Sequence, residues 1–212
     1  PLTKLKLSQF SGISLKKYTT LIMVSGSYNQ LGKGEVKKIK KWVEEGNTLI
    51  TIAGGSSWAI SKKLINESLV ESKKDSTHSR KNYVDAREFI GRERIGGVIL
   101  KADIDLTHPI AFGYNDKSIP VYKNNNVFIN KTKNDYSSVA TYSKDFHIDG
   151  YISESNKKDF IPGAASLIIS KVGSGRVVVF ADNPNFRGTW YGTNKLFLNA
   201  IFLGNNISIP TN

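Results

Sequence analysis

Lys41-Trp42-Val43-Glu44-Glu45-Gly46-Asn47-Thr48-Leu49-Ile50-Thr51-Ile52-Ala53-Gly54-Gly55-Ser56-Ser57-Trp58-Ala59 is the stretch on which the fold turns. Its first residues close an amphipathic segment, Glu35 to Glu45, in which Val36, Ile39, Trp42 and Val43 recur at helical spacing and Lys37, Lys38, Lys40 and Lys41 mostly face the other way. Gly46 is placed to cap that helix. Thr48 to Ala53 is a short apolar, β-branched run that reads as a buried strand, and Gly54-Gly55 break it. A second helix is expected from Ser56 to Asn66. Upstream, Tyr18 to Ser25 is another apolar run, ending at Gly26, and reads as a strand buried on both faces. Strand, helix, strand, helix over 18–66 implies parallel strands joined by right-handed crossovers.

Downstream the pattern weakens and then sharpens. Residues 70–95 form a polar excursion with the dense run Glu71 to Asn82, and a short helix is expected near Asp85 to Arg92. Val98 to Asp103 alternates as a strand, while Ile119 to Tyr122, Val127 to Asn130 and Val139 to Tyr142 read as shorter strands. Ala164 to Lys171 and Arg176 to Ala181 are strong strand candidates, joined by Val172-Gly173-Ser174-Gly175, whose glycines permit a tight hairpin. Thr189 to Leu203 is the longest helical candidate, apolar at Trp190, Phe197, Ala200 and Ile201, and Gly204 stops it. No fixed-period repeat and no linker divides the chain, so 1–212 reads as one domain.

Composition narrows the chemistry. The 212 residues contain no cysteine, which removes disulfides, thiolate metal sites and thiol nucleophiles. No apolar stretch approaches the roughly 20 residues that span a bilayer, so no membrane span is expected. The chain opens at Pro1 without a basic-then-apolar leader, as expected of a fragment or mature segment. A formal net charge of +12 raises nucleic acid as a partner. The lysines are instead scattered in pairs (Lys16-Lys17, Lys40-Lys41, Lys62-Lys63, Lys73-Lys74, Lys157-Lys158), which suits a solvated exterior, and no nucleic acid is expected.

Candidate sites follow from strand ends. Gly26, Gly32 and Lys33 stand where a phosphate loop would, but five residues separate the two glycines and Gly34 replaces the hydroxyl residue that would hold Mg²⁺. Ser56, between a buried strand and a helix, is placed like an elbow nucleophile; against it, Trp58 stands two positions later, where an elbow needs a small residue. A helix-capping serine is the plainer reading. His78, His108 and His147 have no ligand-like spacing with one another or with carboxylates, so no metal is expected. His108-Pro109 reads as a turn whose imidazole satisfies backbone groups. Asp182-Asn183-Pro184-Asn185-Phe186-Arg187, running from a strand toward Trp190, lies where α/β proteins place ligands, although an internal ion pair of Asp182 with Arg187 is also open.

Residues 41–59, 102–114 and 173–204 resemble the C-terminal domain of bacterial M14-type zinc carboxypeptidase-like proteins, and the resemblance extends over most of the chain from about residue 18. That domain is similar in fold to class I glutamine amidotransferases. The resemblance therefore implies an α/β, three-layer αβα sandwich with a mostly parallel central sheet, flavodoxin-like, with a C-terminal β-hairpin and helix. Amidotransferases use a Cys, His, Glu triad; here the implied cysteine would stand near Ser56, and Asp182-Asn183-Pro184 replaces the expected His-Pro-Glu. The implied role is a noncatalytic accessory domain without cofactor, its zinc confined to a peptidase domain that would precede Pro1. Such a domain would be exported, to the periplasm or cell exterior. Its partners would be that peptidase domain and a peptide or glycan, held in a strand-end cleft by Asp182, Asn183, Asn185, Arg187, Trp190, His108 and Ser56. The alternative is a serine hydrolase using Ser56 with His108 or His147 as base.

Overall fold

In the computed structural model of the protein, the described residues are 2–71 and 82–210. Apolar β-branched runs form β1 (Thr20–Met23) and β2 (Thr48–Ile52), separated by α1 (Lys33–Glu44). The α1 N-terminus is closed by Glu35, whose side chain accepts from the Gly32 amide at 2.9 Å. Its inner stripe, Ile39, Trp42 and Val43, is buried. α2 (Gly54–Ser61) starts one residue after β2 and is shorter than the sequence suggests. α3 (Tyr83–Arg92) has no buried residue, and 72–81 of the charged run before it, His78 included, lies outside the described residues. β3 (Val98–Ile104) alternates buried and half-buried positions. β4 (Ser118–Lys123), the two-residue β5 (Ile129–Asn130) and the long β6 (Ser138–Gly150) follow. β7 (Ala164–Val172) and β8 (Gly175–Phe180) form the expected tight hairpin, Val172 pairing with Gly175, and α4 (Tyr191–Leu203) ends the fold.

All eight strands join one sheet in the order β1-β2-β8-β7-β6-β3-β4, with β5 alongside β7. Only β1-β2 and β2-β8 pair in parallel; β8-β7, β7-β6, β6-β3, β3-β4 and β5-β7 are antiparallel. The sheet is thus mixed, correcting the mostly parallel expectation. Parallel neighbours need a crossover of a dozen or more residues, which the chain supplies around α1 but not between β7 and β8. β1 is also not buried on both faces: it is the outer strand, and three of its four residues are half-buried.

Side-chain alternation builds the three layers. Leu49, Val177 and Val179 face α1 and α2, meeting Ile39, Trp42, Val43 and Ala59. Ile50, Ile52, Val178 and Phe180 face the other way and meet Leu196 and Ala200 of α4 together with Leu100, Ile119 and Val121 from the far strands. In a flat sheet β8 and β4 would stand four strand spacings, roughly 19 Å, apart. They share one core, so the sheet curls around α4.

Candidate functional site

The strand-to-helix turn has its strained residue at Ala53, not at Ser56. Ala53 alone links β2 to α2, with φ 47° and ψ −109°, a backbone state that costs an L-residue about 1–3 kcal/mol. It is held there by its amide, which donates to the Phe180 carbonyl at 2.8 Å, and by its carbonyl, which accepts from the Ser57 amide at 3.0 Å. Two residues on, a Cβ on Gly55 would lie 2.6 Å from the Met23 carbonyl oxygen. That is the close approach for which an elbow requires its small residue. The pair Ala53 and Gly55 meets the geometric demand that Ser56 and Trp58 fail.

Ser56 lies inside α2, fully buried. Its hydroxyl donates to the Phe180 carbonyl at 2.7 Å and sits 3.0 Å from the Thr51 hydroxyl. It neither caps the helix nor faces a base. His108 accepts from the Ile110 amide through Nδ1 at 3.1 Å, the backbone-satisfying turn read from the sequence, and burial lowers its pKa while Asp105 opposes. It follows Ile104, the end of β3 opposite Val98, which pairs with Lys123; the strand between spans roughly 20 Å. His147 lies in β6, exposed, with Nε2 2.7 Å from the Gly150 carbonyl. The structure does not join Ser56 to either histidine, and the serine-hydrolase constellation is absent among the described residues.

Asp182, just past β8, turns inward. Its Oδ1 accepts from Lys123 Nζ at 3.0 Å, and its Oδ2 accepts from the hydroxyls of Tyr142 at 2.8 Å and Ser166 at 2.6 Å. Lys123, at 0 % exposure, also donates to the Val127 carbonyl at 2.6 Å and lies 3.4 Å from Asn125 Oδ1, with its ammonium 4.6 Å from the Phe128 ring. Burial pushes the Lys123 ammonium down and Asp182 pulls it back; burial, reinforced by Asp182, pushes the Tyr142 phenol well above 10. The cavity beside this cluster measures about 10 Å³, room for one water at most. The expected cleft is closed at Asp182, and Asp182 pairs with Lys123 rather than Arg187. Sequence reading missed Lys123; its signal was the period of two that carries Ile119 and Val121 inward.

The remaining candidates form the wall above this cluster. The Asn183 side chain accepts from the Asn185 amide at 3.1 Å, and Asn185 Oδ1 accepts from Asn194 at 2.8 Å. Trp190 Nε1 donates to the Pro120 carbonyl at 3.1 Å. Tyr122 stacks on Phe186 at 4.0 Å and approaches Trp190 at 5.9 Å, with the exposed Arg187 guanidinium 5.2 Å from the Phe186 ring. Asn183, Asn185, Arg187 and Trp190 therefore share one turn, while Ser56 and His108 belong to other parts of the fold. No group of three or more metal-ligating side chains gathers among the described residues.

No family model and no curated protein sequence matches the chain. Solved structures do. PurLQS from Thermotoga maritima is 17% identical with a TM-score of 0.52, over 89% of this chain and 81% of that one. A putative GMP synthase protein from Thermoplasma acidophilum is 15% identical with a TM-score of 0.48, over 91% and 75%. A putative ThuA-like protein from Bacteroides uniformis is 14% identical with a TM-score of 0.47, over 93% and 74%. The chain has the class I glutamine amidotransferase-like fold, and it has no cysteine with which to perform that class of chemistry.

Proposed function

We propose that this chain is a noncatalytic accessory domain that binds rather than transforms its ligand. The observation that carries this reading is Ala53: the strained elbow is retained, but it presents a methyl group where a nucleophile would stand. Alanine can attack nothing, and Ser56, the first serine after it in the chain, is buried with its hydroxyl committed to a carbonyl. Binding falls to the outer surface of the Asn183 to Trp190 turn, where Trp190, Phe186 and Tyr122 offer aromatic faces and Asn185 and Arg187 offer donors. Such a wall suits a glycan or peptide by stacking and hydrogen bonding. The resemblance of three sequence blocks supports a setting beside the peptidase domain of an exported zinc carboxypeptidase-like protein.

The test has two parts. The purified chain is expected to release no ammonia from glutamine and to take up no fluorophosphonate label; labelling that disappears in Ser56→Ala would overturn the noncatalytic reading. Soluble cell-wall glycan fragments or their peptides are expected to raise the melting temperature by about 3 °C. Arg187→Ala, at an exposed position, should abolish that rise, and absence of any shift in the unmodified chain sinks the ligand assignment.

A further inference from the structure

At the opposite end of β8 from Asp182, the β7-β8 hairpin and the chain after α4 line an open pocket of about 330 Å³. Its polar wall is Lys171, Ser174, Arg176, Asn205, Asn206 and Ser208, without a single carboxylate. Lys171 and Arg176 are directly paired across the hairpin, so their side chains leave the same face of the sheet. Like charges in that position repel. Arg176 is only 7% exposed, and its charge meets no acid: one terminal nitrogen donates to the Gly204 carbonyl at 2.6 Å and the other to the Ser174 carbonyl at 3.0 Å. A guanidinium carries five N–H donors, and the structure occupies two. Among the described residues no carboxylate contacts either cation.

The wall is also stiff. A Cβ on Gly175 would fall 1.9 Å from the Val43 carbonyl oxygen and 2.4 Å from that of Asn47, so the hairpin rests directly on the end of α1. The Ser174 amide donates to the Glu44 carbonyl at 2.9 Å and the Arg176 amide to the Asn47 carbonyl at 3.1 Å. Backbone contacts thus fix Lys171 and Arg176 opposite each other on the hairpin, with no counter-charge beside them among the described residues.

We propose that this pocket binds a phosphate-class oxyanion, either free phosphate or the head of a small phosphomonoester. The planar fork of Arg176 suits two phosphate oxygens, Lys171 supplies a second positive charge, and the serine and asparagine side chains supply neutral donors. A bound dianion also removes the cross-strand repulsion and opposes the burial that lowers the Arg176 pKa.

The test is calorimetric titration of the purified chain with inorganic phosphate and with glycerol 3-phosphate, alongside thermal unfolding in phosphate, chloride and acetate at matched ionic strength. Phosphate is expected to bind and to raise the melting temperature beyond the other two salts. Lys171→Gln, at an exposed position with no hydrogen bond to lose, is expected to leave the melting temperature in chloride unchanged or higher and to weaken phosphate binding about tenfold. Tighter binding of glycerol 3-phosphate assigns the site to an ester; equal or weaker binding assigns it to the free ion. Equal protection by chloride or acetate, or unaltered phosphate affinity in both Lys171→Gln and Arg176→Lys, overturns the proposal. Arg187→Ala should leave phosphate binding intact, which separates this site from the aromatic wall.

Discussion

One strand, β8, carries a buried charge at each end, and the two ends treat it differently. Past its carboxyl end Asp182 is met by an ammonium and two hydroxyls, while Lys123 spends its donors on Asp182, a backbone carbonyl and an amide oxygen. At its start Arg176 meets carbonyls only. The first arrangement satisfies every partner and leaves about 10 Å³ of space; the second leaves donors unused beside about 330 Å³. A buried charge that is fully matched closes a structure, whereas a buried charge left without its opposite is a place where something from solution can fit.

The sharpest way to break this comparison is to remove one partner at the closed end. Lys123→Met leaves Asp182 buried and unpaired, and an expected loss of about 3–5 kcal/mol should appear in urea unfolding. Joining it to Asp182→Asn should recover a large part of that loss, because the neutral amide can keep the Tyr142 and Ser166 hydroxyls engaged. Purely additive effects would mean that the pair does not act as a unit. Arg176→Met is expected to cost less, about 2 kcal/mol, from two charge-assisted bonds to carbonyls partly offset by relief of Lys171. If it matches Lys123→Met, the ends do not differ as described.

A smaller effect lies in alkali. Tyr142 and Tyr114 both have phenols raised by burial, Tyr142 well above 10 and Tyr114 to about 12. The folded chain therefore keeps protons that the unfolded chain releases, so their contribution is whole below pH 10 and fades as pH climbs through the folded values. Tyrosinate absorbance should show these two among the nine tyrosines ionising last, and Tyr114→Phe should remove a step near pH 12. A Tyr142 that titrates near 10 would mean that the Asp182 end is open to water.

Much of the scaffold was legible residue by residue. The Lys37 to Lys41 stripe, the β-branched run at Thr48 and the glycines at Val172 to Gly175 each announced local structure through spacing or turn chemistry, and each element formed. The candidate site was less legible. Ser56 was singled out because a hydroxyl beside a Gly-Gly break looks reactive, yet alanine carries no mark of a positive φ, and the informative residue was Gly55, two positions after the true turn. Asp182 was read as lining a cleft because it follows a strand into a polar turn, where α/β proteins place ligands, and Arg187 was the only internal partner the sequence suggested. Lys123 was passed over, because the strand expected there stopped at Tyr122 and three asparagines follow the lysine.

Local periodicity and composition were enough to establish helices, strands, a hairpin and the absence of any thiol, because these depend on neighbours within a few positions or on no neighbours at all. Strand direction across the middle of the sheet, the strained backbone at Ala53 and the meeting of Lys123 with Asp182 depended on the curl that brings β4 back toward β8. Fifty-nine positions separate that lysine from its carboxylate, and only the packed fold, where leaving either charge unmatched is costly, makes them partners.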